Sequence, residues 1–117
     1  MLRKLQAFSY EKSKKAALEL VTNRLGYFNK AYNFKYNHIS IKRHRSRWGS
    51  CSQKGNLNFN YKIVFLPPDV SDYIIVHELC HLQEFNHSRS FWELVAKTIP
   101  NHKEIRTKLK NYNGRAQ

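Results

Sequence analysis

The sequence predicts an α+β fold in which one helix precedes a small antiparallel sheet and further helices follow. Apolar residues recur at helical spacing between residues 9 and 31, which predicts the N-terminal helix. They alternate with polar residues around Ile41 and Phe59, which is the period of half-buried strands. A long apolar segment then follows Pro67. Helices segregated from a small sheet are typical of one α+β domain, here residues 1–117.

The first half of the chain is predicted to supply a helix that begins at Ser9, whose hydroxyl can cap a first turn. A strand is expected over residues 36–44, and a bend or bulge is expected near Gly49. After a turn at residues 53–56, residues 57–60 should form a strand that pairs antiparallel with the segment before the turn.

The second half is predicted to be helical over residues 68–85, 89–99 and 101–112. Periodicity does not assign the apolar run over residues 61–66, for which we favour a short helix that ends at Pro67. Proline is tolerated and an acid is favoured in the first turn of a helix, so Pro68 and Asp69 mark the start of the central helix. Asn86 can adopt a left-handed conformation and end that helix. Ser88 can cap the next helix.

The central helix carries a motif typical of metal sites, His77-Glu78-Leu79-Cys80-His81, followed six residues later by His87. Two histidines four residues apart lie one turn apart on one face of a helix, so both imidazoles can reach one zinc ion. Glu78 lies about 100° around the helix axis from His77, close enough to touch a metal-bound water. His87 supplies a third ligand if the helix stops before it. Three protein ligands and an open position are typical of a catalytic zinc site.

Two alternatives to this interpretation stay open at this point. The H-E-x-x-H pattern arises by chance in about one to two of a hundred chains of this composition. Cys51 could also act as a fourth ligand and close the site, whereas Cys80 points off the histidine face and is expected to be a small buried residue. The central helix is apolar over much of its circumference, so we expect it to be buried and the motif to line an internal cleft.

Composition limits the partners and the location of the protein. The formal charge is +13, with 12 Lys and Arg against two acids in residues 1–47 and a nearly neutral middle. This charge favours a nucleic acid or another polyanion as a partner, although a solvated basic surface would have the same composition. No apolar run is long enough for a membrane helix, the N-terminus lacks a secretory signal, and two cysteines are too few for a disulfide scaffold. We therefore expect a cytoplasmic protein.

Several motifs in the same order resemble those of the YgjP-like metallopeptidases, distant relatives of the SprT-like and Wss-type proteases. They are Arg47-Trp-Gly-Ser-Cys-Ser52, Leu57-Asn-Phe-Asn60, Pro67-Pro68, Tyr73-Ile-Ile-Val-His-Glu-Leu-Cys-His81, Asn86-His-Ser88 and Phe91-Trp92. The resemblance covers about residues 10 to 110. It implies a zincin-type catalytic domain over residues 1–117, with Zn²⁺ bound by His77, His81 and His87 and with Glu78 as the catalytic base.

Two differences from related proteins qualify the resemblance. Longer family members carry an additional N-terminal region, so the resemblance implies less about substrate selection than about the metal site. The histidine spacing also equals that of the metzincins, but Glu84 stands where those enzymes have glycine, and Met1 is the only methionine. The sequence therefore does not predict a metzincin.

The resemblance implies a zinc peptidase in which Glu78 takes a proton from the attacking water and delivers it to the leaving amine. Arg47, Tyr73 and His102 are candidates for stabilising the oxyanion, although each is expected more strongly to be structural. Arg47, Trp48 and Tyr73 are possible substrate-side residues, with core packing favoured for Trp48. The strand near residues 45–52 could bind an extended peptide by strand addition.

Two other functions remain alternatives. One is a basic nucleic-acid-binding module whose metal site is mainly structural. The other is a protease that acts on DNA-bound proteins, by analogy with the SprT-like relatives.

Overall fold

A computed structural model of the protein describes residues 2–44 and 46–113. It contains four α-helices, three strands and one short 3₁₀ helix. In chain order these are α1 (Leu2–Tyr32), β1 (His38–Lys42), β2 (Gly49–Cys51), β3 (Asn56–Asn60), the 3₁₀ helix (Tyr61–Phe65), α2 (Pro68–Cys80), α3 (Arg89–Thr98) and α4 (His102–Asn113). The predicted α+β class is confirmed, and α2 lies at the centre, packed against α1, β2, α3 and α4.

The first helix is longer than predicted, because α1 begins at Leu2 and Ser9 lies inside it rather than at its N-cap. It ends at Tyr32, and the next residue, Asn33, adopts the left-handed conformation with φ 58° and donates its backbone amide to the Asn29 carbonyl at 2.7 Å. The Arg24 guanidinium donates to both carboxylate oxygens of Asp72 at 2.9 and 3.0 Å. This two-point contact ties α1 to the central helix.

The sheet has the order β1-β3-β2 and is mixed, which corrects the prediction of a wholly antiparallel sheet. The antiparallel pairing of β2 with β3 is confirmed, with Gly49 opposite Phe59. However, β1 runs parallel to β3, with Ile41 opposite Phe59. Since β3 separates β1 from β2, the segment between them must cross to the far side of β3. As a result β2 is an edge strand.

The central helix begins at Pro68 as predicted, but it ends at Cys80 instead of residue 85. The chain leaves it through a tight turn, because the amides of Leu82 and Gln83 bond to carbonyls three residues earlier. These hydrogen bonds satisfy carbonyls at the end of α2 without a residue in the left-handed conformation. The prediction that Asn86 ends the helix in that conformation is therefore wrong. Asn33 is the only non-glycine residue with positive φ in the described ranges.

The surface of the N-terminal half is basic. Lys12, Lys14 and Lys15 of α1 are exposed, and so are Lys42 and Arg43 at the end of β1. A nucleic-acid partner stays a prediction from this charge. Among the helices described, none combines the length and the apolar content that crossing a bilayer requires.

Candidate metal centre

The three histidines of the motif converge through the same ring atom. The Nε2 atoms of His77 and His81 are 3.1 Å apart, those of His81 and His87 are 3.0 Å apart, and those of His87 and His77 are 3.2 Å apart. Within residues 2–44 and 46–113 these are the only three His, Cys, Asp or Glu side chains grouped closely enough to hold a metal ion. His77 and His81 are buried, whereas His87 is exposed.

Local structure explains how the histidines meet. His77 lies in the last turn of α2, and His81 is its C-cap residue, with φ −65° and ψ −16°, so the helical path continues just far enough to stack the two side chains. The turn after His81 reverses the chain and brings His87 back before α3 begins. The Ser88 side chain accepts a hydrogen bond from the Phe91 amide at 3.3 Å and thereby caps α3, as predicted.

The distances between the three nitrogens are explained better by a shared metal ion than by hydrogen bonds among the imidazoles. An imidazole nitrogen carries either a hydrogen or a lone pair, so three of them cannot all be hydrogen-bonded in pairs. In contrast, three nitrogens that are each about 2.0–2.1 Å from one tetrahedral zinc lie about 3.3 Å apart. The observed separations are close to this value. The donor set therefore suits a divalent ion that prefers imidazole.

Neighbouring groups hold His81 and His77 ready to bind a metal. The Nδ1 atom of His81 lies 2.8 Å from the Glu84 carbonyl oxygen, so this nitrogen carries the hydrogen and Nε2 keeps its lone pair. Burial, together with the nearby His81 and His87, lowers the pKa of His77 to about 2. The neutral imidazole, which is the form that binds metals, therefore predominates.

Two aromatic residues of α3 support the rings. Phe91 stacks on His81 with ring centroids 4.4 Å apart, and it meets His77 edge-on at 5.1 Å. Trp92 stacks on His87 at 5.8 Å. Phe91 is fully buried. The contacts of the two residues restrict the orientations of the three imidazoles.

Glu78 is buried beside the histidines, with 2% of its surface exposed. Its side chain packs against Gly49, the first residue of β2. A Cβ atom at Gly49 would lie 2.9 Å from Cγ and 3.0 Å from Oε2 of Glu78. The glycine is therefore required by the close approach of the strand to the glutamate. Sequence reasoning expected a bend there and missed this contact.

A cleft of about 570 Å³ opens over the site. One wall is formed by the three histidines and Glu78, and the other by the edge strand β2 and the segment before it. The full lining is Ser46, Arg47, Gly49, Ser50, Cys51, His77, Glu78, His81, Phe85 and His87. An edge strand that borders a cleft can pair with an extended peptide, and such binding at this strand stays a prediction.

Asn60 holds the segment that leads into the edge strand. Its side-chain amide donates to the carbonyls of His44 at 2.8 Å and Arg47 at 2.9 Å. Its backbone amide donates to the Trp48 carbonyl at 2.8 Å. A single buried residue of β3 therefore fixes the rim of the cleft. The sequence indicated only that Asn60 belongs to an alternating strand.

The other candidate residues occupy different places. Arg47 is exposed and lines the cleft, so it remains able to contact substrate. Trp48 and Tyr73 are 5% and 0% exposed and lie outside the cleft lining, because both pack into the core. This burial favours a structural role for both residues, and a contact with substrate stays a prediction. His102 is also outside the cleft, stacked on Trp92 at 5.1 Å.

Neither cysteine joins the histidine cluster. Cys51 lines the cleft, but burial and the negative charge of Glu78 raise the pKa of its thiol to about 11. The described side chains that lie close enough together to share one ion are His77, His81 and His87, without Cys51, so the geometry does not support the closed four-ligand alternative. Cys80 is fully buried in the core, as expected.

Three convergent histidines and a buried glutamate in one cleft of an α+β fold are typical of metallopeptidases. A family model described as YgjP-like, metallopeptidase domain, matches residues 2–112, and the chain therefore belongs to this family. The protein is accordingly a peptidase, a hydrolase that uses a metal cofactor and acts on peptides or proteins. The resemblance stated from the motifs is confirmed.

Two crystal structures of metallopeptidase zymogens have a similar fold. Abylysin of Pyrococcus abyssi is 25% identical, with a TM-score of 0.74 over 83% of this chain and 98% of the other. Jannalysin of Methanocaldococcus jannaschii is 22% identical, with a TM-score of 0.67 over 78% of this chain and 94% of the other. No curated protein matches the chain.

The contact between Gly49 and Glu78 leads to a prediction. Gly49→Ala is expected to lower the free energy of unfolding by about 1–3 kcal/mol, because the added methyl overpacks against the glutamate. It should also slow peptide cleavage by displacing the carboxylate. Urea unfolding checks the first effect.

Gly26→Ala is the matched control, since nothing lies within 4 Å of a Cβ there, and it should raise stability by about 0.5–1 kcal/mol. Equal stabilities for the Gly49 variant and the wild type would contradict the close approach.

Proposed function

We propose that the protein is a zinc-dependent peptidase in which His77, His81 and His87 hold the metal and Glu78 is the general base. The observation that carries this proposal is the convergence of three Nε2 atoms within 3.0–3.2 Å of one another in a cleft that Glu78 also lines. Structural zinc sites have four protein ligands, whereas catalytic sites keep one position open. The described residues supply three.

A bound zinc ion would supply a Lewis acid that polarises a carbonyl and lowers the pKa of a water molecule from 15.7 to about 7. The protein contributes the proton transfer. Glu78 takes the proton from the attacking water and delivers it to the nitrogen of the leaving amine. Its buried position against Gly49 limits the rotamers that the carboxylate can adopt, and it keeps bulk water away from one side.

The edge strand β2 would hold the substrate. Its outer side has no strand partner in the described part of the chain, so an extended peptide can bond to its backbone. Ser50 and Cys51 belong to this strand and line the cleft, and Arg47 lies on the rim that Asn60 fixes. Recognition through backbone bonds favours unfolded segments over folded proteins as substrates.

Removal of the metal tests this proposal. Treatment with a chelator is expected to abolish cleavage of an unfolded protein, and one equivalent of zinc should restore it. The reason is that the ion held by the three histidines would activate the attacking water and polarise the carbonyl. The rate of substrate loss on a gel, measured beside the zinc content per chain, checks the result. Full activity of the metal-free protein would contradict zinc-dependent hydrolysis.

A further inference from the structure

A second cavity, of about 440 Å³, lies between α3 and α4 and has no part in the proposed chemistry. It is lined by Arg89, Trp92, Glu93, Ala96, His102, Lys103 and Arg106. We refer to it as the α3–α4 pocket. Trp92 connects it to the metal centre, because the indole lines the pocket and also stacks on His87 with ring centroids 5.8 Å apart.

The charges around the α3–α4 pocket favour an anion. Its lining has three cations and one acid, Glu93, whose carboxylate already accepts a bond from Arg89 at 3.2 Å. The ion pairs found in the described residues involve neither Lys103 nor Arg106. These two side chains therefore bring positive charge to the cavity without a carboxylate to balance it.

The polar groups are also held in place. The Arg106 guanidinium lies over the Trp92 ring, 5.4 Å from its centroid, and His102 stacks on the same ring with an angle of 17° between the planes. A stacked guanidinium presents its donors in a fixed fork, which matches the two oxygens of a carboxylate. His102 is 8% exposed, and its Nδ1 atom is buried without a hydrogen-bond partner in the described structure.

We propose that the α3–α4 pocket binds a carboxylate of the peptide substrate, with Arg106 as the main donor. This inference depends on the proposed peptidase function for the identity of the ligand. The Trp92 ring lies 5.8 Å from the His87 ring, and the Arg106 guanidinium lies 5.4 Å from the centre of the same indole. Three or four extended residues, which span about 3.3–3.6 Å each, cover the way from His87 to Arg106. A peptide in the cleft can thus place an acidic side chain or its own C-terminus a few residues from the scissile bond. Substrates with such a carboxylate would be preferred.

Binding of four related peptides tests the proposal directly. The probes are alanine-rich hexapeptides that contain either one Glu or one Gln and that end in either a free or an amidated C-terminus. Titration calorimetry with zinc-loaded Glu78→Gln protein measures affinity without consuming the peptide. We expect the peptide with the relevant carboxylate to bind about tenfold more tightly than its uncharged partner. The Glu/Gln pair and the acid/amide pair show which carboxylate is recognised.

Two variants of α4 distinguish recognition of the carboxylate in the pocket from a general effect of positive charge. Arg106→Gln should abolish the preference, whereas Lys110→Gln, which removes an equal charge from an exposed site outside the pocket, should retain it. Zinc content is measured for both variants to show that the metal centre is unchanged. Equal affinities for all four peptides, or equal losses in the two variants, would overturn the proposal. If the Glu78→Gln protein shows the preference but the wild-type protein cleaves none of the four peptides, the result would support the pocket and contradict the peptidase proposal.

Discussion

Replacement of Glu78 by Gln is expected to lower the rate of peptide cleavage by about 10²–10⁴-fold, the usual contribution of a general base. An amide has nearly the shape of the carboxylate, so it fits the same buried space against Gly49. However, it cannot take a proton from water. The three histidines are untouched, and the zinc content per chain should therefore stay the same as in the wild type.

Rates on an unfolded protein substrate, compared at equal zinc content, check this result. Glu19→Gln is the matched control, because it removes the same charge from an exposed position on α1 and should leave the rate unchanged. Should the Glu78 variant cleave as fast as the wild type, the assignment of Glu78 as the base would be wrong. Loss of zinc together with activity would instead give Glu78 a role in binding the metal.

Replacement of His81 by Ala is expected to have the second large effect, a loss of zinc and of all cleavage. Removing only the hydrogen-bond partner of a ligand typically costs 10–100-fold in metal affinity, so loss of the ligand itself should cost more than about 100-fold. His81 is the centre of the site, with Nε2 within 3.1 Å of both other histidines and its ring stacked on Phe91.

Competition with a chromophoric chelator measures this affinity. His38→Ala provides the control, because that histidine is exposed on β1 and should not change zinc binding. Cys51→Ser examines the alternative fourth ligand and should also leave the affinity unchanged. Tight zinc binding by the His81 variant would be incompatible with a three-histidine centre.

The sequence predicted the parts of the site that depend on local spacing. His77 and His81 are four residues apart, and this places them on one face because the helical path continues through His81. Pro68 begins α2 and Ser88 caps α3, as local capping preferences indicate. The family resemblance added the expectation of a metallopeptidase, which the family match confirms.

Features that depend on distant contacts were not predictable in this way. The parallel pairing of β1 with β3 joins segments separated by the whole of β2, and alternating apolar residues carry no information about strand direction. The early end of α2 depends on backbone hydrogen bonds in the turn that follows Cys80 and on the contact of the His81 ring with the Glu84 carbonyl. The apolar pattern of the sequence, in contrast, continues to Phe85. Phe85 itself is 44% exposed, which shows that this pattern overestimated the helix.

The same limit applies to the roles of Gly49 and Asn60. Gly49 makes room for Glu78, which is 29 residues later in the chain, and a bend was the only local interpretation of the glycine. The Asn60 side chain holds the cleft rim by donating to the carbonyls of His44 and Arg47, and a periodic pattern in the sequence does not reveal such contacts. Both contacts follow from the packing of β2 and β3 beside α2.

X-ray absorption at the zinc edge of the wild-type protein measures the ligands of the metal directly. We expect one zinc per chain with three imidazole nitrogens at about 2.0–2.1 Å and an oxygen in the remaining position. His77, His81 and His87 would supply the nitrogens, and the oxygen would mark the position left open for water. A sulfur ligand at about 2.3 Å, or a fourth protein ligand, would show a closed structural site and contradict the account.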